Sequence, residues 1–123
     1  MFVTTPMSEA LGRYLDLASN QLKLTAGNMA NIDTPGYKTQ GFDFEQEFAR
    51  QLSDTGVQSE LMAMEPPVTS VEGLVARPDG NNVSMDREGM QLAKAQLKFK
   101  LGTELLKGEF SSVMSAIHSV DGK

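Results

Sequence analysis

Over residues 8–33, Leu11, Leu15, Ala18, Leu22, Thr25, Met29 and Ile32 recur at alternating spacings of four and three. That is the repeat of a coiled-coil seam. A second row, Ala10, Tyr14, Leu17, Gln21, Leu24, Asn28 and Asn31, runs beside it. At about 100° per residue the two rows cover roughly half of a helix circumference, wider than the seam of a two-stranded coil. Pro35 disfavours α geometry at Thr34 and so ends this helix. Pro35-Gly36 fits the central pair of a type II turn.

The pattern then shortens. Residues 41–52, "GFDFEQEFARQL", predict a short helix with Phe44, Phe48 and Leu52 on one side. Residues 53–82 hold scattered Gly, Pro, Ser and Asp, with breakers at Pro66-Pro67 and Pro78-Asp79-Gly80-Asn81. They predict a mobile loop with one short hairpin around 68–75. A third segment begins near 82–84 with N-cap residues, places Asp86 and Glu88 in the first turns, and runs to about 117.

This last helix carries two apolar stripes. Met90, Ala93, Leu97, Leu101 and Leu105 form one, and Leu92, Ala95, Phe99, Leu106, Phe110, Val113 and Ile117 form the other. They lie nearly opposite each other, with Lys98, Lys100 and Lys107 at the flanks. The N-terminal helix can cover one stripe, and a hairpin would leave the other in water. Covering a Leu or Phe contributes roughly 1.5–3 kcal/mol. Gly27, Gly102 and Gly108 inside helices cost about 1 kcal/mol each against Ala. The expected fold is mainly α. Long N- and C-terminal helices pair in a coiled-coil-like layer, with a short irregular or β-containing middle. The unmet stripe predicts a subunit of an ordered assembly.

Charge divides the chain in the same way. Of 123 residues, 1–40 hold 3 acids and 3 bases, 41–82 hold 8 and 2, and 83–123 hold 5 and 6. The net charge of −5 therefore sits in the middle. An acidic middle suits solvent and neutral ends suit burial. The expected division is 1–40, 41–82 and 83–123. No basic stripe with interleaved aromatics points to nucleic acid. There is no cysteine for disulfides or thiolate metal sites. No apolar run is long enough to span a bilayer, and "MFVTTPMSEALGRYL" lacks the pattern of a cleaved secretory signal.

Catalytic chemistry finds no constellation. His118 stands alone near the end of the last helix, without the partner a general base needs. "DGNNVSMDREGM" departs from a calcium loop, since its sixth position is not Gly and its twelfth is Met90. "GNMAN" lacks the Gly-Lys-Ser/Thr ending of a phosphate loop. The carboxylates of 43–47 read as solvated surface. Met29, Met85, Met90 and Met114 read as adaptable packing residues. No cofactor or metal is expected. Asn28 and Asn31 carry two readings that can coexist. Their amides can bind the last turn and the following loop, or they can set register against neighbouring helices.

"LDLASNQLKLTAGNMANIDTPGYKTQGFDFEQEF" resembles the N-terminal signature of bacterial flagellar rod and hook proteins, a helix ending in Asn-x-x-Asn-x-x-Thr-Pro-Gly-Tyr/Phe-Lys. Asn28, Asn31, Thr34, Pro35, Gly36, Tyr37 and Lys38 occupy that element. "RPDGNNVSMDRE" and "LAKAQLKFKLGTELLKGEFSSVMSAI" are similar to the C-terminal half of proximal rod subunits. Asn81-Asn82, Asp86, Glu88, Leu92-Ala93, Gln96-Leu97, Phe110 and Ala116-Ile117 carry that likeness. The resemblance covers nearly the whole chain apart from 53–75.

The resemblance implies a structural subunit of the flagellar basal-body rod rather than an enzyme. Such subunits are exported by the flagellar type III pathway without a cleaved signal and polymerise in the periplasm into a hollow shaft. Terminal helices form the inner layer and the middle faces outward. Implied partners are lateral copies of the chain, a FliE-like adaptor, the export gate, and FlgC-like and other rod proteins. The assembly faces would be Leu11, Leu15, Leu22 and Met29 on the first helix, and Leu97, Leu101, Phe99, Leu106, Phe110, Val113 and Ile117 on the last. The alternatives are another rod subunit of FlgC type, or a cytoplasmic helical adaptor or export chaperone, which would fold as a stable soluble dimer.

Overall fold

The computed structural model of the chain describes residues 5–53 and 66–121, with side chains to 119. Helix α1 spans Pro6–Ala30, strand β1 Gln40–Gly41, helix α2 Phe44–Ser53, strand β2 Thr69–Ser70 and helix α3 Met85–Asp121. The mainly helical fold expected from the pattern is the one observed, with α1 and α3 packed along each other and a short strand pair in the middle.

Helix α1 starts at a reciprocal cap. Thr5 Oγ1 accepts from the Ser8 amide at 3.0 Å, and Ser8 Oγ accepts from the Thr5 amide at 2.9 Å. Pro6 occupies the first turn, where its missing N–H costs nothing. Leu11, Leu17, Ala18, Thr25 and Asn28 are its buried residues. They take members from both sequence rows, as a half-circumference stripe should. Leu22 is exposed, and Leu15 and Met29 are half-buried.

Helix α3 runs antiparallel to α1. Contacts at three levels set the alignment: Asn28 with Glu88, Gln21 with Gln91, and Thr5 with Glu109. Its 37 residues reach about 55 Å, against about 37 Å for the 25 residues of α1. Its inner line holds Glu88, Leu92, Ala95, Gly102, Leu106 and Val113, all buried or half-buried. Small residues on both helices bring the backbones close. A Cβ on Gly102 would stand 2.8 Å from Leu15 Cδ2 and 3.1 Å from Tyr14 Cδ1. Gly102, which looks like a simple cost in the sequence, is the crossing point of the two helices.

Helix α2 closes the hairpin's side. Asp43 caps it by accepting from the Gln46 amide at 3.0 Å. Phe44 sinks against Leu17 and Ala18, with Tyr14, Phe42 and Phe48 packed around them. Tyr14 meets Phe44 and Phe48 edge-on, with ring centroids 5.2 and 5.3 Å apart. Such pairs add roughly 0.5–1.5 kcal/mol beyond the area they bury. Lys98 lies 3.8 Å over the Phe44 ring and 3.7 Å from Glu45. It ties α3 to α2, a role its flank position did not suggest.

Five expectations need correction. Leu52 is exposed, and the inner face of α2 is Phe44, Glu47, Phe48 and Gln51. The polar pair is tolerable there because Glu47 is bonded by Arg50 and Gln51, while Gln51 O accepts from Arg13 at 2.6 Å. Glu47 is thus not part of a solvated acidic surface. The local hairpin at 68–75 is absent, since β2 pairs antiparallel with β1, Gln40 opposite Ser70 and Gly41 opposite Thr69. Finally, residues 66–82 are not a free loop but fold back onto the end of α1, while residues 54–65 of that expected loop lie outside the described residues. Three of the methionines placed in packing rows, Met85, Met90 and Met114, are exposed.

Candidate functional site

Two features stand out: a polar clasp where four segments of the chain meet, and an open face on α3. The clasp grows from the stop of α1. Asn31 caps the helix, its Nδ2 donating to Gly27 O at 2.7 Å and its Oδ1 accepting from Thr34 Oγ1 at 3.0 Å. Tyr37 N then donates to Thr34 O at 3.2 Å, closing the turn over Pro35 and Gly36. Gly36 has φ +76°, the left-handed conformation a type II turn needs at that position. The sequence reading of this reversal is correct in type and place.

A second turn faces it. The Gly80 amide donates to Arg77 O, and the Arg77 amide to Asn81 O, both at 2.8 Å. Gly80 has φ +88°. Its α-carbon side abuts Gly36, where a Cβ would meet Gly36 Cα at 3.4 Å. The Gly36 amide donates to Asp79 O at 2.9 Å. Two glycine turns therefore touch backbone to backbone.

Asparagines join the segments. Asn81 Nδ2 donates to Asn31 O at 2.9 Å and Thr34 O at 2.8 Å, and Asn81 Oδ1 accepts from the Val83 amide. Asn82 Oδ1 accepts from the Thr39 amide at 2.7 Å. Arg77 reaches Ile32 O and Lys38 reaches Gly80 O. Arg77 thus sets a cation at the negative end of the α1 dipole. Ser84 starts α3, with its Oγ 3.3 Å from the Arg87 amide.

Asn28 is the centre. It is 1% exposed, and its amide makes four bonds. Nδ2 donates to Gln40 O at 2.9 Å and to Glu88 Oε2 at 3.1 Å. Oδ1 accepts from Tyr37 OH at 3.1 Å and the Gln40 amide at 3.0 Å. Glu88 is fully buried and takes a second bond from Arg87 Nη1 at 2.6 Å. It does more than complement a helix dipole, because it pins α3 to α1. A network with every member satisfied specifies one arrangement. The described contacts of Asn28 and Asn31 match the reading in which their amides serve the last turn and the following loop. In sequence the clasp partners Asn81, Asn82 and Glu88 read as part of a breaker, a helix cap and a first-turn acid, and beyond that only through the family resemblance. Their signal in sequence is a polar run beside a cap, and nothing in it points to residues 40–60 positions away.

The other feature lies away from α1. Met90, Leu97, Leu101 and Leu105 are 59, 68, 50 and 51% exposed, along one side of α3. Leu106 and Val113 of the other stripe turn inward, while Phe99, Phe110 and Ile117 stay near half exposed. Among the described residues, no group of three acidic or histidine side chains is placed to hold a metal ion. His118 is exposed in the last turns of α3. No described helix is long and apolar enough to cross a membrane.

Comparison with known proteins matches residues 15–38 to the family described as "Flagella basal body rod protein". That interval holds most of α1 and the turn with the asparagine element. The flagellar basal body rod protein FlgB of Escherichia coli K12 is 30% identical over 121 residues, covering 85% of this chain and 88% of that one. FlgB of Cereibacter sphaeroides is 32% identical over 111 residues, covering 84% and 87%. FlgB of Borrelia hermsii is 29% identical over 119 residues, covering 82% and 87%.

Proposed function

The chain belongs to the FlgB family of flagellar basal-body rod proteins, as a structural subunit of the proximal rod, and we propose that the open face of α3 is the surface that builds it into the shaft. As a rod protein it assembles with other rod components in the basal body. The observation that carries the proposal is the exposed row of Met90, Leu97, Leu101 and Leu105. Each such side chain gains roughly 1.5–3 kcal/mol when covered. A continuous apolar strip on a helix whose other side is already packed marks a protein contact.

In this reading α1 and α3 form the inner layer, with Leu22, Phe99, Phe110 and Ile117 as further assembly positions and with Leu15 and Met29, half-buried, at their edge, while Leu11, Leu106 and Val113 pack within the subunit. The acidic segment 41–82 faces outward, between 1–40 and 83–123. The asparagine element from Asn28 to Lys38 shapes each subunit's end for its neighbours. The subunit leaves the cytoplasm through the flagellar type III pathway without a cleaved signal and assembles in the periplasm. Its neighbours are lateral copies, a FliE-like adaptor and the export gate below, and a FlgC-like subunit above.

A charge on the open face tests the proposal. Leu97→Asp and Leu101→Asp would each strand a carboxylate in an apolar contact, costing several kcal/mol. Both are expected to be exported and absent from purified basal bodies by immunoblot. Lys100→Asp, exposed on the same helix, is expected to be incorporated at reduced level. Lys98 is not a neutral control because it touches Phe44 and Glu45. Wild-type incorporation of both leucine variants would remove the open face from assembly.

A further inference from the structure

We infer that the polar clasp selects the register in which α1 and α3 pair, a choice the apolar seam makes only at the Gly102 crossing. The inference concerns the subunit alone and stands whether or not the open face of α3 is the assembly surface. It begins with how little the rest of the seam discriminates. The inner line of α3 holds two pairs of small or aliphatic residues seven apart, Ala95 with Gly102 and Leu106 with Val113. Opposite lie Leu11, Ala18 and Thr25, also seven apart. Sliding α3 by seven residues places Ala95 where Glu88 was, and Leu106 and Val113 against the same kind of surface. Heptad seams of this kind are nearly degenerate under such a slide, and buried polar residues are what break the degeneracy.

The polar contacts do distinguish the two registers. In the slid pairing Asn28 Nδ2 loses Glu88, and the five bonds that join Asn81 and Asn82 to Asn31, Thr34, Tyr37 and Thr39 are displaced with it. Glu109, which accepts from Thr5 Oγ1 at 2.8 Å, would move next to Tyr14 and Leu15. Its carboxylate would enter the closest crossing of the two helices. The native register is the only one of the pair that leaves these groups bonded.

The chain contains no cysteine, so engineered thiols report register directly. Leu15→Cys with Gly102→Cys probes the native pairing, because Leu15 sits against Gly102. Leu15→Cys with Glu109→Cys probes the pairing seven residues away. In an otherwise unaltered full-length chain, mild oxidation is expected to join only the first pair. Adding Asn81→Ala and Glu88→Leu to each chain is expected to raise the second product by on the order of tenfold or more and to lower the yield of the first. Asn81→Ala with Glu88→Gln, whose amide oxygen still accepts from Asn28, is expected to restore the native product. If the clasp variant still yields only the native product, the seam sets the register and the inference fails. If it yields neither product, the clasp is needed for pairing itself rather than for choosing a register, and the inference fails as well.

Discussion

At Gly102 two effects of one methyl group oppose each other. Alanine improves helix propensity by about 1 kcal/mol. Here its Cβ would stand 2.8, 3.1 and 3.2 Å from atoms of Leu15 and Tyr14. Overpacking of that kind costs roughly 1–3 kcal/mol. Gly102→Ala is therefore expected to destabilise the chain by up to about 2 kcal/mol. Gly108 has nothing within 4 Å of its Cβ position, so Gly108→Ala is expected to stabilise by up to about 1 kcal/mol. Urea unfolding of the two variants reads the signs. Stabilisation by both would mean that α1 and α3 do not cross closely at this level.

Among the elements, α2 packs on α1 through its aromatics and buries a carboxylate, Glu47, paired within the same helix to Arg50. Arg50, bonded to the Glu47 carboxylate, holds it below the usual range despite burial, and Gln51 adds to the effect. A carboxylate with a depressed folded value stabilises the fold fully above its unfolded value near 4.3. That contribution is lost as pH falls through the lower, folded value. Acid titration followed by near-ultraviolet tyrosine signal should therefore show α2 holding to a pH below the ordinary carboxylate range. Arg50→Ala is expected to move the transition to higher pH, since a buried carboxylate without its guanidinium favours the protonated form. An unchanged midpoint would show that the pair does not anchor α2.

Over the whole molecule, order is expected to be graded. The buried apolar residues are few: Leu11, Leu17, Ala18, Phe44, Val83 and Ala95. Among the described residues all but Leu11 lie at or on the clasp side of the Gly102 crossing. Beyond Glu109, α3 has no described element beside it that makes a hydrogen bond. Amide exchange on dilute subunit is expected to protect residues 24–41 and 81–98 most, with protection falling toward 119. In assembled rods, protection of 97–119 should rise to match. Uniform strong protection of α3 in the free subunit would describe a self-sufficient bundle and leave assembly nothing to order.

Local rules carried a good part of this in the sequence. The two long helices, the Pro35-Gly36 reversal, Ser84 as a cap and the two-sided character of α3 all follow from periodicity and backbone sterics, which act over a few residues. The family likeness was legible too, in the element from Asn28 to Lys38. What periodicity could not show is which stripe of α3 faces α1, because both are apolar. Small size decided it, since Ala95 and Gly102 let the backbones approach where Leu97 and Leu101 would hold them apart. Nor could it show that Glu47, Asn28 and Glu88 are buried. A polar side chain goes inside only where its partners arrive together, and here Asn28 meets Gln40, Tyr37 and Glu88 from three parts of the chain. The 77–83 turn, read as a breaker, caps a helix some fifty positions away for the same reason. Sequence determined the elements and their apolar faces through local sterics. Only the tertiary structure, by bringing distant polar groups within hydrogen-bonding reach, decided how those elements lock together.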